Sequence, residues 1–142
     1  MVDHGGGAIV NIGSITGLRG SSGSAVYSAN KAAIHSFTQS WADEYGPHGV
    51  RVNAVAPPGP IGTERQVEFA DHIAPTLSRL PSRRVSTPEE IAAAVVFLVS
   101  DDAANIHGTI LSVDGGLGRD LIGGRSGAQI CRLVNSLATC SM

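Results

Sequence analysis

Short apolar runs and longer amphipathic stretches alternate along this chain. Ala8-Ile9-Val10-Asn11-Ile12 predicts a short, largely buried strand, and Gly13 to Gly23 a loop of small residues punctuated by Gly17, Gly20 and Gly23. Apolar side chains then recur every four residues at Ala25, Ala29, Ala33, Phe37, Trp41 and Tyr45, with Val26 and Ala32 beside them. That spacing predicts a helix from about Ser24 to Tyr45 that packs on this stripe. Gly46-Pro47 stops it, with Gly46 as a left-handed cap. Val50 to Val55 predicts a second strand, and its few polar interruptions suit a strand covered on both faces.

Pro57-Pro58-Gly59-Pro60 ends regular pairing and starts a stiff excursion. Gly62 to Val85 is mixed, with a helical fragment at Glu64 to Ala74 and breakers at Pro75 and Pro81. A clearer helix start follows. Thr87 fits the N-cap, Pro88 the first helical position and Glu90 the third, which together read as a capping box. This helix carries Ile91, Ala92, Val95, Val96 and Val99 as its packing face, and Thr109 to Val113 predicts a third strand closed by Asp114-Gly115-Gly116. Strand–helix–strand–helix–strand order predicts an α/β fold with a parallel sheet. From Leu117 the pattern weakens. Ile130 to Leu137 suggests a short amphipathic helix, and residues 118–142 read as an atypical tail too short for a core of their own.

Composition narrows the function classes. Lys and Arg total 10 against 12 Asp and Glu, a formal charge of −2, so the concentrated basic surface of a nucleic-acid binder is not expected. The longest wholly apolar run, Ile91 to Val99, is nine residues, and a membrane-spanning helix needs about twenty. The start, Met1-Val2-Asp3-His4, lacks the basic charge of a signal peptide, so a cytoplasmic location is expected. Cys131 and Cys140 both fall in the tail and make neither a core staple nor a metal motif.

Candidate chemistry gathers where the first predicted strand meets the long helix. Tyr27 and Lys31 are four residues apart, so one turn sets them on the same helix face. A phenol titrates near ~10, and a nearby ammonium stabilises the phenolate and makes proton transfer feasible. The same pair also fits an interfacial tyrosine beside a solubilising lysine. Ser14 follows the strand end, a common ligand location in open α/β sheets, and its hydroxyl can donate to a carbonyl oxygen. It equally suits a turn cap, and no His or Asp arrangement marks it as a hydrolytic nucleophile.

Several segments in fixed order extend the pattern. Ala8-Ile9-Val10-Asn11-Ile12-Gly13-Ser14 is followed after thirteen residues by Tyr27-Ser28-Ala29-Asn30-Lys31. Then come Val52-Asn53-Ala54-Val55, Pro58-Gly59-Pro60-Ile61-Gly62-Thr63, Thr87-Pro88-Glu89-Glu90-Ile91-Ala92 and the stretch Gly108 to Gly116. From Gly5 to Leu117 this resembles the C-terminal half of a short-chain dehydrogenase/reductase. The resemblance implies a partial Rossmann-like parallel sheet of three strands, spanning residues 1–117, without the N-terminal nucleotide-binding half. It also implies roles. Ser14 would orient the substrate carbonyl or alcohol, Tyr27 would be the acid/base, and Lys31 would favour the tyrosinate and contact the nicotinamide ribose. Pro58, Gly59, Ile61 and Thr63 would lie beside the nicotinamide of NAD or NADP. The cofactor carries the redox chemistry and the protein positions the reactants. Asn53-Ala54-Val55-Ala56-Pro57-Pro58-Gly59 departs from the family's Asn-x-Val-x-Pro-Gly by one extra proline.

A complete member begins with a βαβ unit and a Thr-Gly-x-x-x-Gly-x-Gly loop, and carries a further catalytic asparagine. Gly5-Gly6-Gly7 precedes a strand and lacks the strand–turn–helix setting that cradles a pyrophosphate. The first strand is therefore expected to show an open edge, and the long helix to lose part of its packing surface. The favoured reading is an oxidoreductase transferring hydride between NAD(P) and a small-molecule carbonyl or secondary alcohol, inactive as an isolated fragment. A non-catalytic structural or regulatory partner joined to a full-length relative is the alternative, as is one half of a complemented enzyme. Homo-oligomers are a family expectation.

Overall fold

The computed structural model describes residues 1–58, 74–75, 77–78 and 80–118. Within them a three-stranded sheet has the order β1-β2-β3, where β1 is Gly7–Ile12, β2 Val50–Ala56 and β3 Ile110–Ser112. Both pairs are parallel. Ile9 lies opposite Val52 and Val10 opposite Asn53, while Val55 lies opposite Leu111. A short helix α1, Ile15–Leu18, and the long helix α2, Ala25–Tyr45, connect β1 to β2, and a later helix α3, Pro88–Val99, precedes β3. The strands and their α/β order are those the apolar pattern predicts. The predicted helix at Glu64 to Ala74, the tail from residue 119 and its helix at Ile130 to Leu137, with Cys131 and Cys140, lie outside the described residues.

Successive side chains of β2 point to opposite faces of the sheet, so alternate residues enter two apolar clusters. Val50 and Val52 pack with Ala42, Ile9 and Tyr45 on the α2 side. Val55 packs with Ile91, Leu98, Val10, Val95 and Leu111 on the α3 side. This helix–sheet–helix layering buries β2 almost throughout, as expected. Strand β1 is not largely buried, contrary to the sequence reading: its residues are half-buried or exposed, because among the described residues only β2 pairs with it.

Helix α2 forms where predicted, but not on the predicted face. Ala25, Val26, Ala29, Ala32, Ala33, Phe37 and Trp41 are exposed, whereas Ser28, His35, Thr38 and Ala42 are buried. Small and polar residues suit this close helix–strand contact because their polar atoms are satisfied there. Asn11 Nδ2 donates to Thr38 Oγ1 at 2.9 Å, and Thr38 Oγ1 donates to the Ile34 carbonyl at 2.8 Å. The apolar stripe faces outward, with the Phe37 and Trp41 rings stacked 5.3 Å apart. Similarly, α3 buries Ile91 and Leu98, while Ala92, Val96 and Val99 are exposed.

The end of α2 also differs from expectation. Gly46 keeps right-handed backbone angles, a 3-10 turn Gly46–His48 follows, and Gly49 takes the left-handed conformation at φ 75°. At α3 the capping box forms: the Glu90 carboxylate accepts from the Thr87 N–H at 2.9 Å, and Thr87 Oγ1 from the Glu90 N–H at 3.3 Å. Arg51, on β2, donates to the carbonyls of Leu98, Val99 and Ser100, supplying a cation where the last carbonyls of α3 lack helical partners.

Candidate active site

The carboxyl ends of β1 and β2 run side by side into two loops. Gly13 N–H donates to the Val55 carbonyl at 2.8 Å, and Ile15 N–H to the Pro57 carbonyl at 2.9 Å. Ser14 is thereby set beside the proline stretch that follows β2. Ser14 is the N-cap of α1, a helix that the glycine and serine content of the segment obscured in sequence. Its Oγ accepts from Thr16 N–H at 3.3 Å and lies 3.1 Å from Thr16 Oγ1.

Helix α2 starts at the same end. Lys31 Nζ donates to the Ile12 carbonyl at 2.9 Å, two residues before Ser14. The same ammonium lies 5.8 Å from the centroid of the Tyr27 ring, one turn earlier on the helix. Tyr27 itself is 51 % exposed. Close approach of α1 to α2 depends on Gly17, where an added Cβ would lie 2.6 Å from the Lys31 carbonyl carbon. Thus the Ser14 segment, Tyr27 and Lys31 meet at one sheet end. Pro58 is half-buried next to Pro57; Gly59, Ile61 and Thr63 lie outside the described residues.

One buried polar residue here had no place in the sequence reading. His35 lies one turn beyond Lys31, and its Nε2 accepts from the Ser14 N–H at 3.4 Å. Burial pushes the imidazole pKa below its ordinary 6.5; the nearby Gly17 backbone partly offsets this without a hydrogen bond of normal length, and the Lys31 charge adds to the lowering. The signal in sequence was the spacing of Ser28, Lys31, His35 and Thr38, polar residues that share a helix face. The larger apolar residues masked it.

Chemically the site offers a serine hydroxyl, a solvent-facing phenol and an ammonium near that phenol. Lys31 uses one hydrogen bond to protein among the described residues, which leaves donors on the same nitrogen for a further oxygen ligand. No cluster of three His, Cys, Asp or Glu residues suited to a metal occurs among the described residues. No helix among them is long and apolar enough to cross a membrane.

Known proteins are similar to this chain in sequence and fold. The family described as Enoyl-(Acyl carrier protein) reductase matches residues 1–118. A 3-oxoacyl-(acyl-carrier-protein) reductase from Chlamydia muridarum is 46 % identical over 118 residues, covering 82 % of this chain and 47 % of that protein. An acetoacetyl-CoA reductase from Allochromatium vinosum is 42 % identical, with 82 % and 48 % covered. Among solved structures, a protein from Beutenbergia cavernae assigned as an NAD(P)-dependent gluconate 5-dehydrogenase, with NADP bound at low occupancy, superposes with a TM-score of 0.76 at 39 % identity, covering 82 % of this chain and 48 % of that one. The chain thus spans about half the length of the curated relatives it matches. It belongs to the short-chain dehydrogenase/reductase family.

Proposed function

We propose that this chain is the C-terminal, acid/base portion of an oxidoreductase that moves hydride between NAD(P) and a carbonyl or secondary alcohol. The observation that carries the reading is the Lys31 ammonium, shared between the strand end below Ser14 and the Tyr27 ring. In the reduction direction the Ser14 hydroxyl donates a hydrogen bond to the substrate oxygen and keeps its proton. Tyr27 delivers the proton to that oxygen, and Lys31 stabilises the phenolate left behind. Oxidation runs the same proton transfers in reverse. The bound nicotinamide supplies the hydride chemistry.

The donor set fits the nicotinamide-ribose end of such a cofactor. Lys31 has donors left for a ribose hydroxyl, and Pro58, Gly59, Ile61 and Thr63 are assigned to the nicotinamide side. A glycine-rich phosphate cradle in a strand–turn–helix setting is not among this chain's motifs. In this reading the pyrophosphate is held by a nucleotide platform outside the residues assigned here. The relatives are named for substrates as different as 3-oxoacyl-(acyl-carrier-protein) and gluconate, so the substrate class is kept to a carbonyl or alcohol.

A second reading draws on the β1 edge that is unpaired among the described residues and on the exposed stripe of α2: a partner subunit that pairs with a full-length relative. One experiment separates the two. NADH and NADPH are titrated against the purified chain, alone and co-expressed with the N-terminal portion of the Chlamydia muridarum reductase, with oligomeric state recorded and NADPH oxidation followed on an acetoacetyl thioester. Turnover is expected only in the complemented sample, and Tyr27→Phe should lower it by about 10²-fold or more. Full turnover after Tyr27→Phe overturns the acid/base assignment, and saturable tight binding by the monomeric chain alone overturns the need for a platform.

A further inference from the structure

The buried imidazole of His35 takes no part in the acid/base chemistry, yet it touches the residue that chemistry depends on. Ser14 is 4 % exposed, so its backbone N–H must find an acceptor inside the protein. That acceptor is His35 Nε2, at 3.4 Å and 21 residues away in sequence. A ring nitrogen accepts only when it carries no hydrogen, so the neutral ring holds its hydrogen on Nδ1. The ring is 6 % exposed, and Nδ1 has no hydrogen-bond partner among the described residues, a setting that disfavours a second proton.

Gly13 shows how closely the ring abuts the strand end. A Cβ on residue 13 would lie 2.2 Å from His35 Nε2 and 2.7 Å from Cδ2, so ring and backbone share this space only because residue 13 is glycine. Lys31, one turn earlier on α2, holds the carbonyl of Ile12. One helix face therefore grips two nearby backbone groups, the Ile12 carbonyl through Lys31 and the Ser14 amide through His35.

We propose that His35 is a positioning residue for Ser14: as the Nδ1–H tautomer it accepts the Ser14 amide and fixes the turn that presents the Ser14 hydroxyl. Its consequence for catalysis rests on the proposed function; the hydrogen bond does not.

The test uses the ¹⁵N-labelled chain. Long-range ¹H–¹⁵N correlation on the imidazole should show hydrogen on Nδ1 and none on Nε2. Exchange of the Ser14 amide should rise about tenfold or more in His35→Leu, which keeps bulk but no acceptor. His35→Gln carries an acceptor that reaches the same position, and should hold exchange within about threefold of the original. The Nε2–H tautomer in the unsubstituted chain overturns the proposal, whether or not His35→Leu folds, and so does a Ser14 amide indifferent to that substitution. Both signatures in a chain that fails the oxidoreductase assay would uphold the positioning role and sink only the reaction assigned to the site.

Discussion

Lys31 and Ile12 are joined by a 2.9 Å hydrogen bond from Nζ to the main-chain carbonyl, which ties the middle of one α2 face to the last residue of β1. The bond sets the ammonium near the Tyr27 ring without using all its donors. Lys31→Met keeps most of the side-chain stem and removes the charge. Turnover of the complemented enzyme should fall by about 10²–10⁴-fold, the range for loss of acid/base assistance, with little change in far-UV circular dichroism. Turnover within a few-fold of the original would remove Lys31 from the reaction.

The two glycines flanking Ser14 are not equivalent. At Gly13 an added Cβ meets the end of the His35 side chain, which can rotate at some cost; at Gly17 it meets the Lys31 carbonyl carbon at 2.6 Å and the Ala32 nitrogen at 2.9 Å, both backbone. Gly17→Ala should therefore separate α1 from α2 and destabilise more than Gly13→Ala, each by about 1–3 kcal/mol as for overpacking. Urea unfolding midpoints at constant slope measure the order. Gly13→Ala should also disturb the Ser14 amide resonance.

Helix α2 shows which part of the fold was legible in sequence and which was not. Its length and the neighbouring strands follow from local periodicity, and the capping box at Thr87 and Glu90 was readable because three adjacent residue types define it. The buried face was not readable, since periodicity reports where apolar residues cluster but not which cluster meets the sheet. The buried residues are Ser28, His35, Thr38 and Ala42; Phe37 and Trp41 face outward. For the proposed site, spacing put Tyr27 and Lys31 on one helix face and Ser14 at a strand end, and only the family resemblance gave them roles; the His35 contact with the Ser14 amide forms only on folding. The resulting prediction is a contrast. Phe37→Ser should change stability by about 1 kcal/mol or less, while Leu98→Ala, at a position 1 % exposed, should cost about 2–5 kcal/mol. Equal costs would return the stripe to the core.

Asn53 links the two strand ends through a buried amide. Its Nδ2 donates to the Ile106 carbonyl at 2.8 Å, and its Oδ1 accepts from the Thr109 N–H at 3.0 Å, with the side chain fully buried. Asn53→Leu fills the volume but leaves both main-chain groups without their partner. Each such group costs about 1–3 kcal/mol, so the substitution should destabilise by about 2–6 kcal/mol and free the start of β3. Faster amide exchange at Thr109 would locate the loss. An unfolding midpoint unchanged by Asn53→Leu would show that water replaces both bonds.

Two pH windows should appear in thermal unfolding, and each has its own residue. His35 has a folded-state pKa below its ordinary 6.5, chiefly through burial, so the unfolded chain binds protons more readily. Its contribution is fully present above about pH 6.5 and declines as pH falls toward the folded value. Glu90 is held at about 2 against an ordinary 4.5, first by its hydrogen bond from Arg84 at 2.5 Å and then by the Thr87 backbone. Its contribution is present above 4.5 and lost between 4.5 and about 2; because both side chains meet solvent, added salt should shrink it. His35→Gln should flatten the melting temperature through the upper window and leave the lower one, and Glu90→Gln should do the reverse. A decline below pH 6.5 that survives His35→Gln would assign that window to another histidine and imply that His35 takes up a proton as easily folded as unfolded.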